Sequence, residues 1–247
     1  MIVLCNGLAK SGSSFIFQIA ESLAESAGFN QKSLRNQYVP NTFIPYKPHP
    51  HFVSFPPGEL SQLVQSVPTS QLLVVKTHDP FSQEAAELLI LEKIKVINSY
   101  RNPRDAAVSL WDAAVKERLT VKEEKWRFTV APSFQKAIIA TACLSSNNIG
   151  WLQDKKTLNI GFDRIRIEPI DVAEAIANYL QLQANSFPIA AKYIKNRKDI
   201  REYSIGIPER FITYMSLFEE GLSNQLFQKY DEMIELTQDS SIGKANE

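Results

Sequence analysis

The 247-residue chain is 44% hydrophobic and 22% charged, an ordinary globular composition, long enough for one full core and short for two, which predicts a single domain over residues 1–247. Lysine plus arginine and aspartate plus glutamate both number 27, for a formal net charge of +0 at pH 7, so nothing draws the protein as a whole to nucleic acid or to an anionic membrane. Any anion must be held locally. The chain opens on a strand with no basic, apolar leader, and no apolar run approaches the roughly 20 residues that span a bilayer, which predicts a cytoplasmic protein. The two cysteines, Cys5 and Cys143, make no disulfide framework and read as buried thiols.

Ile2-Val3-Leu4-Cys5 is apolar and β-branched, the pattern of a buried strand. From Phe15 the apolar residues 15, 16, 19, 20, 23, 24 and 27 form one helical stripe that stops at Gly28. Between strand and helix lies Asn6-Gly7-Leu8-Ala9-Lys10-Ser11-Gly12-Ser13-Ser14. A loop of this composition feeding a helix is a phosphate cradle, because glycines let backbone N–H groups turn inward and the helix N-terminus adds partial positive charge. It is not a Walker A loop. Gly7 and Gly12 have the spacing, but Ser13 stands where that motif needs lysine, and Lys10 meets the anion from another point of the loop. The other reading is an ordinary strand-to-helix turn that uses Gly and Ser for geometry.

Residues 38–58 hold six prolines among many aromatics, which predicts a long loop that either walls an organic ligand pocket or packs on the surface. His49 and His51 within it lack the flanking Cys, Asp or Glu of a metal site, and no metal is expected. Residues 71–76 form the next strand and 81–92 a helix. Residues 95–100 form a third strand, after which Asn102, Pro103 and Asp105 at N-cap, N1 and N3 start a helix to about Glu117. Three strand–loop–helix units predict a parallel sheet, with ligands at the strands' carboxyl ends, where Lys10, His78 and Arg101 all sit. Lys116 to Arg127 is a charged helix face or lid. Helices over 133–151 and 169–182 bracket a short strand at 158–162. Residues 195–206 are basic and irregular, 209–236 are helical with an interruption near Gly221, and 238–247 are a tail expected to fray.

These loops resemble those of sulfotransferases that use 3'-phosphoadenosine 5'-phosphosulfate (PAPS), in a short soluble bacterial-like form. That family's Pro-Lys-Ser-Gly-Thr-Thr-Trp stands here as Ala9-Lys10-Ser11-Gly12-Ser13-Ser14-Phe15, its Lys-Thr-His as Lys76-Thr77-His78, and its Tyr-Arg-Asn-Pro-Arg-Asp with a later serine as Tyr100 to Asp105 with Ser109. Gly161-Phe162-Asp163-Arg164 stands where Tyr-Glu-Asp is frequent. The likeness covers residues 2 to about 182 and implies a P-loop-like α/β/α fold of three layers, with a central parallel sheet and helices on both faces.

It further implies that PAPS is the sulfuryl donor, with its 5'-phosphosulfate on the amides of residues 11–15. Ser13 and Ser14 would donate to its oxygens, and Lys10 would balance the developing charge. His78 would be the general base, with Lys76 polarising the same region. Arg101 and Ser109 would hold the 3'-phosphate, and Phe162 would offer a ring to adenine without the hydroxyl of a tyrosine. Arg197-Lys198-Asp199 would stand for a late Arg-Lys-Gly segment, although an aspartate beside a phosphate is unfavourable and a solvated basic stretch reads equally well. The acceptor would be a small molecule, lipid or sugar bearing a hydroxyl or amine. Structural alternatives remain: His78 as a helix cap, Ser109 back-bonded in its helix, Arg101 paired with Asp105. A P-loop nucleotide kinase or triphosphatase, or a non-catalytic nucleotide-binding scaffold, are the rival functions.

Overall fold

The computed structural model describes residues 1–43, 52–120, 130–195 and 209–242. Four parallel strands form its centre: β1 (Ile2–Gly7), β2 (Leu73–Lys76), β3 (Ile94–Tyr100) and β4 (Leu158–Gly161), in the spatial order β2-β1-β3-β4. The chain leaves β1 to one side for β2, then returns past it for β3. The crossovers therefore reverse at β1, and the crevice beyond the carboxyl ends of β1 and β3 is a topological switch point, where ligands of open α/β sheets bind.

Alternation along the strands divides the core. Val3, Cys5, Val74, Ile97 and Ile160 pack with α1 (Ser13–Ser26), α8 (Pro169–Leu180) and Tyr193 of α9 (Ser186–Lys195). Ile2, Leu4, Leu73, Val75, Ile94 and Val96 face the opposite way, against α2 (Gln31–Tyr38), α3 (Glu59–Ser66), α4 (Gln83–Ile90) and Trp151 of α6 (Phe134–Gln153). Helices on both faces of a parallel sheet make the three-layer arrangement that the family resemblance implies. Beyond β3 come α5 (Pro103–Thr120), α7 (Phe162–Ile167) directly after β4, α10 (Phe211–Tyr214) and α11 (Leu217–Ile242). The edge strand β2 is covered by side chains: Gln31 donates to Leu72 O and accepts from Val74 N, both at 2.8 Å. Among the described residues no helix is long and apolar enough to cross a membrane.

Several elements depart from the sequence reading. Within the 38–58 stretch, residues 44–51 fall outside those described. Phe52, just after them, bridges Lys76 in parallel register, and Val53 N donates to Lys76 O at 2.8 Å, extending the sheet at its edge. The charged stretch is helical through Thr120, and its remainder lies outside the described residues. Gly221 does not interrupt α11. The break falls at Met215–Ser216, where a capping box starts the helix: Ser216 N donates to Glu219 Oε2 at 3.0 Å and Glu219 N to Ser216 Oγ at 3.4 Å. The tail expected to fray continues α11 as far as Ile242.

Candidate active site

The loop after β1 is pinned to β3. Ser11, fully buried, donates its hydroxyl to Leu8 O at 2.5 Å and lies 2.7 Å from Ser99 Oγ. Its N–H donates to the same Leu8 carbonyl at 3.1 Å. Both polar groups face inward, so Ser11 serves the cradle by fixing its shape. Gly7 must approach β3 closely: a Cβ there would lie 2.1 Å from Ser99 Oγ. Lys10 adopts φ 69 and Gly12 φ 90, the left-handed turns that send the chain into α1. Gly12 O accepts from both Phe15 N and Ile16 N, at 2.9 and 3.2 Å. The amides of Gly12, Ser13 and Ser14 precede these bonds, at the positive end of a 14-residue helix.

β2 delivers the second group of residues. Lys76, 4% exposed, reaches across to donate from Nζ to Ser14 Oγ at 2.8 Å, joining the second loop to the cradle. His78 Nδ1 lies 2.6 Å from Gly7 O. A carbonyl oxygen only accepts, so Nδ1 carries hydrogen, and in the neutral ring Nε2 holds the lone pair. The helix-cap alternative for His78 does not hold, because Ser82 caps α4 through Ala85 N at 3.1 Å. The Phe52 ring lies 5.2 Å from the His78 ring. Asp79 secures this neighbour: its carboxylate accepts from Ser54 Oγ and from Phe55 N, each at 2.7 Å, while its carbonyl accepts from Trp151 Nε1 at 3.0 Å.

β3 delivers the third. Arg101, 6% exposed, donates from Nη1 to Lys10 O at 3.2 Å, and its guanidinium lies over the Phe162 ring at 4.0 Å. Asp105 stands 3.8 Å from Nη2, a separation longer than a direct hydrogen bond. Burial pulls the Arg101 pKa below its ordinary value, against the opposing pull of Asp105 and Asp163. An anion at the guanidinium would therefore relieve a desolvated charge. Ser109 is buried on α5, the helix that Arg101 and Asn102 introduce, and Arg104 N donates to Asn102 Oδ1 at 2.9 Å as the predicted N-cap requires.

The structure thus brings Lys10, Ser14, Lys76, His78, Arg101 and Phe162 together at one end of the sheet. Phe15 is 5% exposed and lies edge-on to Tyr193, with centroids 6.2 Å apart. Arg197 and Lys198 lie outside the described residues. Sequence reading passed over Phe52 and Asp79: the aspartate was visible as the residue after His78, but its hold on residues 54–55 was not.

The chain belongs to the sulfotransferase domain family, whose model matches residues 2–200. Among solved structures it is similar to retinol dehydratase in a complex with retinol and PAP, at 16% identity and TM-score 0.56, covering 94% of this chain and 81% of that one. Retinol dehydratase with androsterone and PAP is similar at 15% identity and TM-score 0.55, covering 93% and 80%. A mouse sulfotransferase complexed with PAP matches at 14% identity and TM-score 0.56, covering 96% and 86%. At these identities the likeness is one of fold. A search among curated proteins found no match.

Proposed function

We propose that the protein moves the sulfuryl group of PAPS to the hydroxyl or amine of a small-molecule acceptor, a lipid or sugar among them, with His78 as general base. The observation that carries this reading is the 2.6 Å contact from His78 Nδ1 to Gly7 O, which fixes the tautomer whose Nε2 can take a proton. The family match supports the reaction class. The PAP in the solved sulfotransferase structures, the bisphosphate left when PAPS gives up its sulfuryl group, supports the donor.

The residues present fit that donor. Two lysines, a helix N-terminus and a buried guanidinium stacked on an aromatic ring form a donor set matched to a nucleotide with anionic groups at both its 5' and 3' positions. When bound, PAPS supplies an activated sulfuryl group. The amides of α1's first turn with Ser13 and Ser14 hold the 5' end. Lys10 and Lys76 balance the negative charge that grows on the departing phosphate oxygen, which is where positioning and charge stabilisation do most of the catalysis. His78 takes the acceptor's proton at Nε2 as the acceptor oxygen or nitrogen bonds to sulfur and the bond from sulfur to the 5'-phosphate breaks. Arg101 and Ser109 hold the 3'-phosphate, Phe15 contributes its backbone amide to the cradle, and Phe162 offers its ring to adenine.

The test is transfer of label from radioactive PAPS to a panel of alcohols, phenols, sterols, sugars and amines. The wild type labels at least one class. His78→Ala loses roughly 10²–10⁴-fold in rate while PAP affinity stays within about threefold of the wild type. Equal loss of transfer and PAP binding would make His78 structural and overturn its role.

A further inference from the structure

Asp79, the residue after the base, is held by every polar group it owns. Its N–H donates to Thr77 Oγ1 at 3.0 Å. Its carbonyl accepts from Trp151 Nε1 at 3.0 Å, and its carboxylate takes Ser54 Oγ on one oxygen and Phe55 N on the other, each at 2.7 Å. Thr77 and Trp151 are both buried, so the anchors behind Asp79 belong to the core. One residue earlier, His78 Nδ1 lies on Gly7 O. Residues 77–79 therefore leave β2 as a short, fixed arm that carries the base and, next to it, a carboxylate.

That carboxylate grips the segment that carries Phe52. Residues 52–55 meet the sheet through the bridge from Phe52 to Lys76. Their other amides find separate partners: Val53 N donates to Lys76 O at 2.8 Å, Ser54 N to Phe43 O at 2.9 Å, and Phe55 N to Asp79 Oδ2. On the α4 side the described residues leave a cavity of about 660 Å³, lined by Ser54, Phe55, Asp79 and Ala85 among others, so residues 54–55 lean there on hydrogen bonds more than on packing. Two short bonds to one carboxylate, the stronger kind of hydrogen bond, set where the segment lies relative to residue 78. The Phe52 ring stands 5.2 Å from the His78 ring, tilted by 50°. An acceptor that gives its proton to Nε2 sits against the same imidazole, so the Phe52 ring bounds the space it can occupy, and a shift of about 1 Å in that wall is enough to misplace it.

We infer that Asp79 is a positioning residue for the acceptor, coupling the base to the ring beside it through Ser54 and Phe55. The inference rests on the assignment of His78 as the base. It is tested on the full chain with the acceptor that the wild type labels best, by steady-state kinetics at saturating PAPS and by calorimetric titration with PAP. Asp79→Ala raises the acceptor KM about five- to tenfold, the worth of roughly one hydrogen bond, changes kcat less, and leaves PAP affinity within about twofold. Asp79→Asn recovers most of that loss, because its amide oxygen keeps Phe55 N while the Ser54 hydroxyl turns to accept from its NH2 group. In a Phe52→Ala background Asp79→Ala adds little to KM, since the ring it places is gone. Ser54→Ala removes one of the two bonds, raises KM in the same direction and decides the matter if Asp79→Ala does not fold. A merely structural carboxylate would lower the melting temperature and leave KM alone. That result, or an Asp79→Ala effect on KM undiminished in the absence of Phe52, overturns the inference with His78's role intact. A wild type that labels no acceptor overturns both.

Discussion

Replacing Gly12 with alanine probes the joint between the anion cradle and the 3'-phosphate residues. Gly12 holds φ 90, and a Cβ there would meet Ile165 Cδ1 at 2.8 Å and Phe162 Cδ2 at 3.3 Å. Left-handed backbone costs a residue with a Cβ about 1–2 kcal/mol. Overpacking against Ile165, itself 7% exposed in the core beneath α1, adds about 1–3 kcal/mol. The sum, about 2–5 kcal/mol, lowers the melting temperature of a chain this size by roughly 5–15 °C. Relief comes by moving α7 away from the loop. That withdraws Phe162 from beneath Arg101 and turns the first amides of α1 off their target, so PAP affinity falls roughly tenfold or more. The double variant Gly12→Ala/Ile165→Val lacks Cδ1, and it is more stable than the two single changes predict together by about 1 kcal/mol. Thermal unfolding and calorimetry supply both numbers. Gly12→Ala that melts and binds PAP as the wild type does, or a double variant that is merely additive, would refute this reasoning.

Four other outcomes follow from the geometry. Lys76→Met, which cuts the bond from Nζ to Ser14 Oγ, lowers turnover more than it lowers PAP affinity, because the charge it balances develops during transfer; steady-state kinetics with an acceptor that turns over read the split. Phe52→Ala, by contrast, raises the acceptor KM and leaves PAP titration unchanged, since its ring lies against His78 and not in the cradle. For Glu84, burial alone would raise its pKa, but hydrogen bonds from the Ser61 hydroxyl and from the Ser61 and Gly58 amides outweigh it and hold the carboxyl below its ordinary 4.5. The stabilisation is therefore complete above the unfolded value and lost as pH falls through the folded one, and Glu84→Gln flattens that part of an acid-unfolding curve. Finally, burial and the nearby Glu21 push the Cys5 thiol well above its usual range, while Cys143, contrary to the buried thiol expected from the sequence, is exposed. A thiol reagent thus modifies one cysteine in the native protein and both after denaturation.

The parts of this fold that could be read from the chain are those whose cause is local. Buried strands announce themselves as apolar runs, and the cradle, Lys76-Thr77-His78 and Tyr100 to Asp105 carry their turn chemistry within a few residues. Four helices escaped that reading. In α2 only Gln31 and Leu34 are buried, and the buried Gln31 serves the edge of β2 instead of an apolar stripe, so no helical period shows. The α3 helix follows the run of prolines, α7 has only six residues and no side-chain cap, and α9 carries a proline near its start. Gly221 drew attention as a breaker, although the capping box at Ser216 and Glu219 outweighs a helix glycine that costs about 1 kcal/mol. In the site, the residues came from motif spacing, but their mutual support did not. The partners of Arg104 on α11 lie 120 and 127 residues away, and neither periodicity nor propensity reports a contact of that range.

The most direct measurement is a thermal-shift titration of the wild type with PAP beside AMP and ATP, since a ligand that binds only the folded state raises its melting temperature by mass action. The account predicts a rise with PAP of roughly 5–10 °C at about 100 times its dissociation constant, equivalent to ~2.7 kcal/mol, and much smaller shifts with AMP and ATP at the same concentration. A shift with ATP and none with PAP would contradict the sulfuryl-donor site and turn the reading toward a nucleotide kinase.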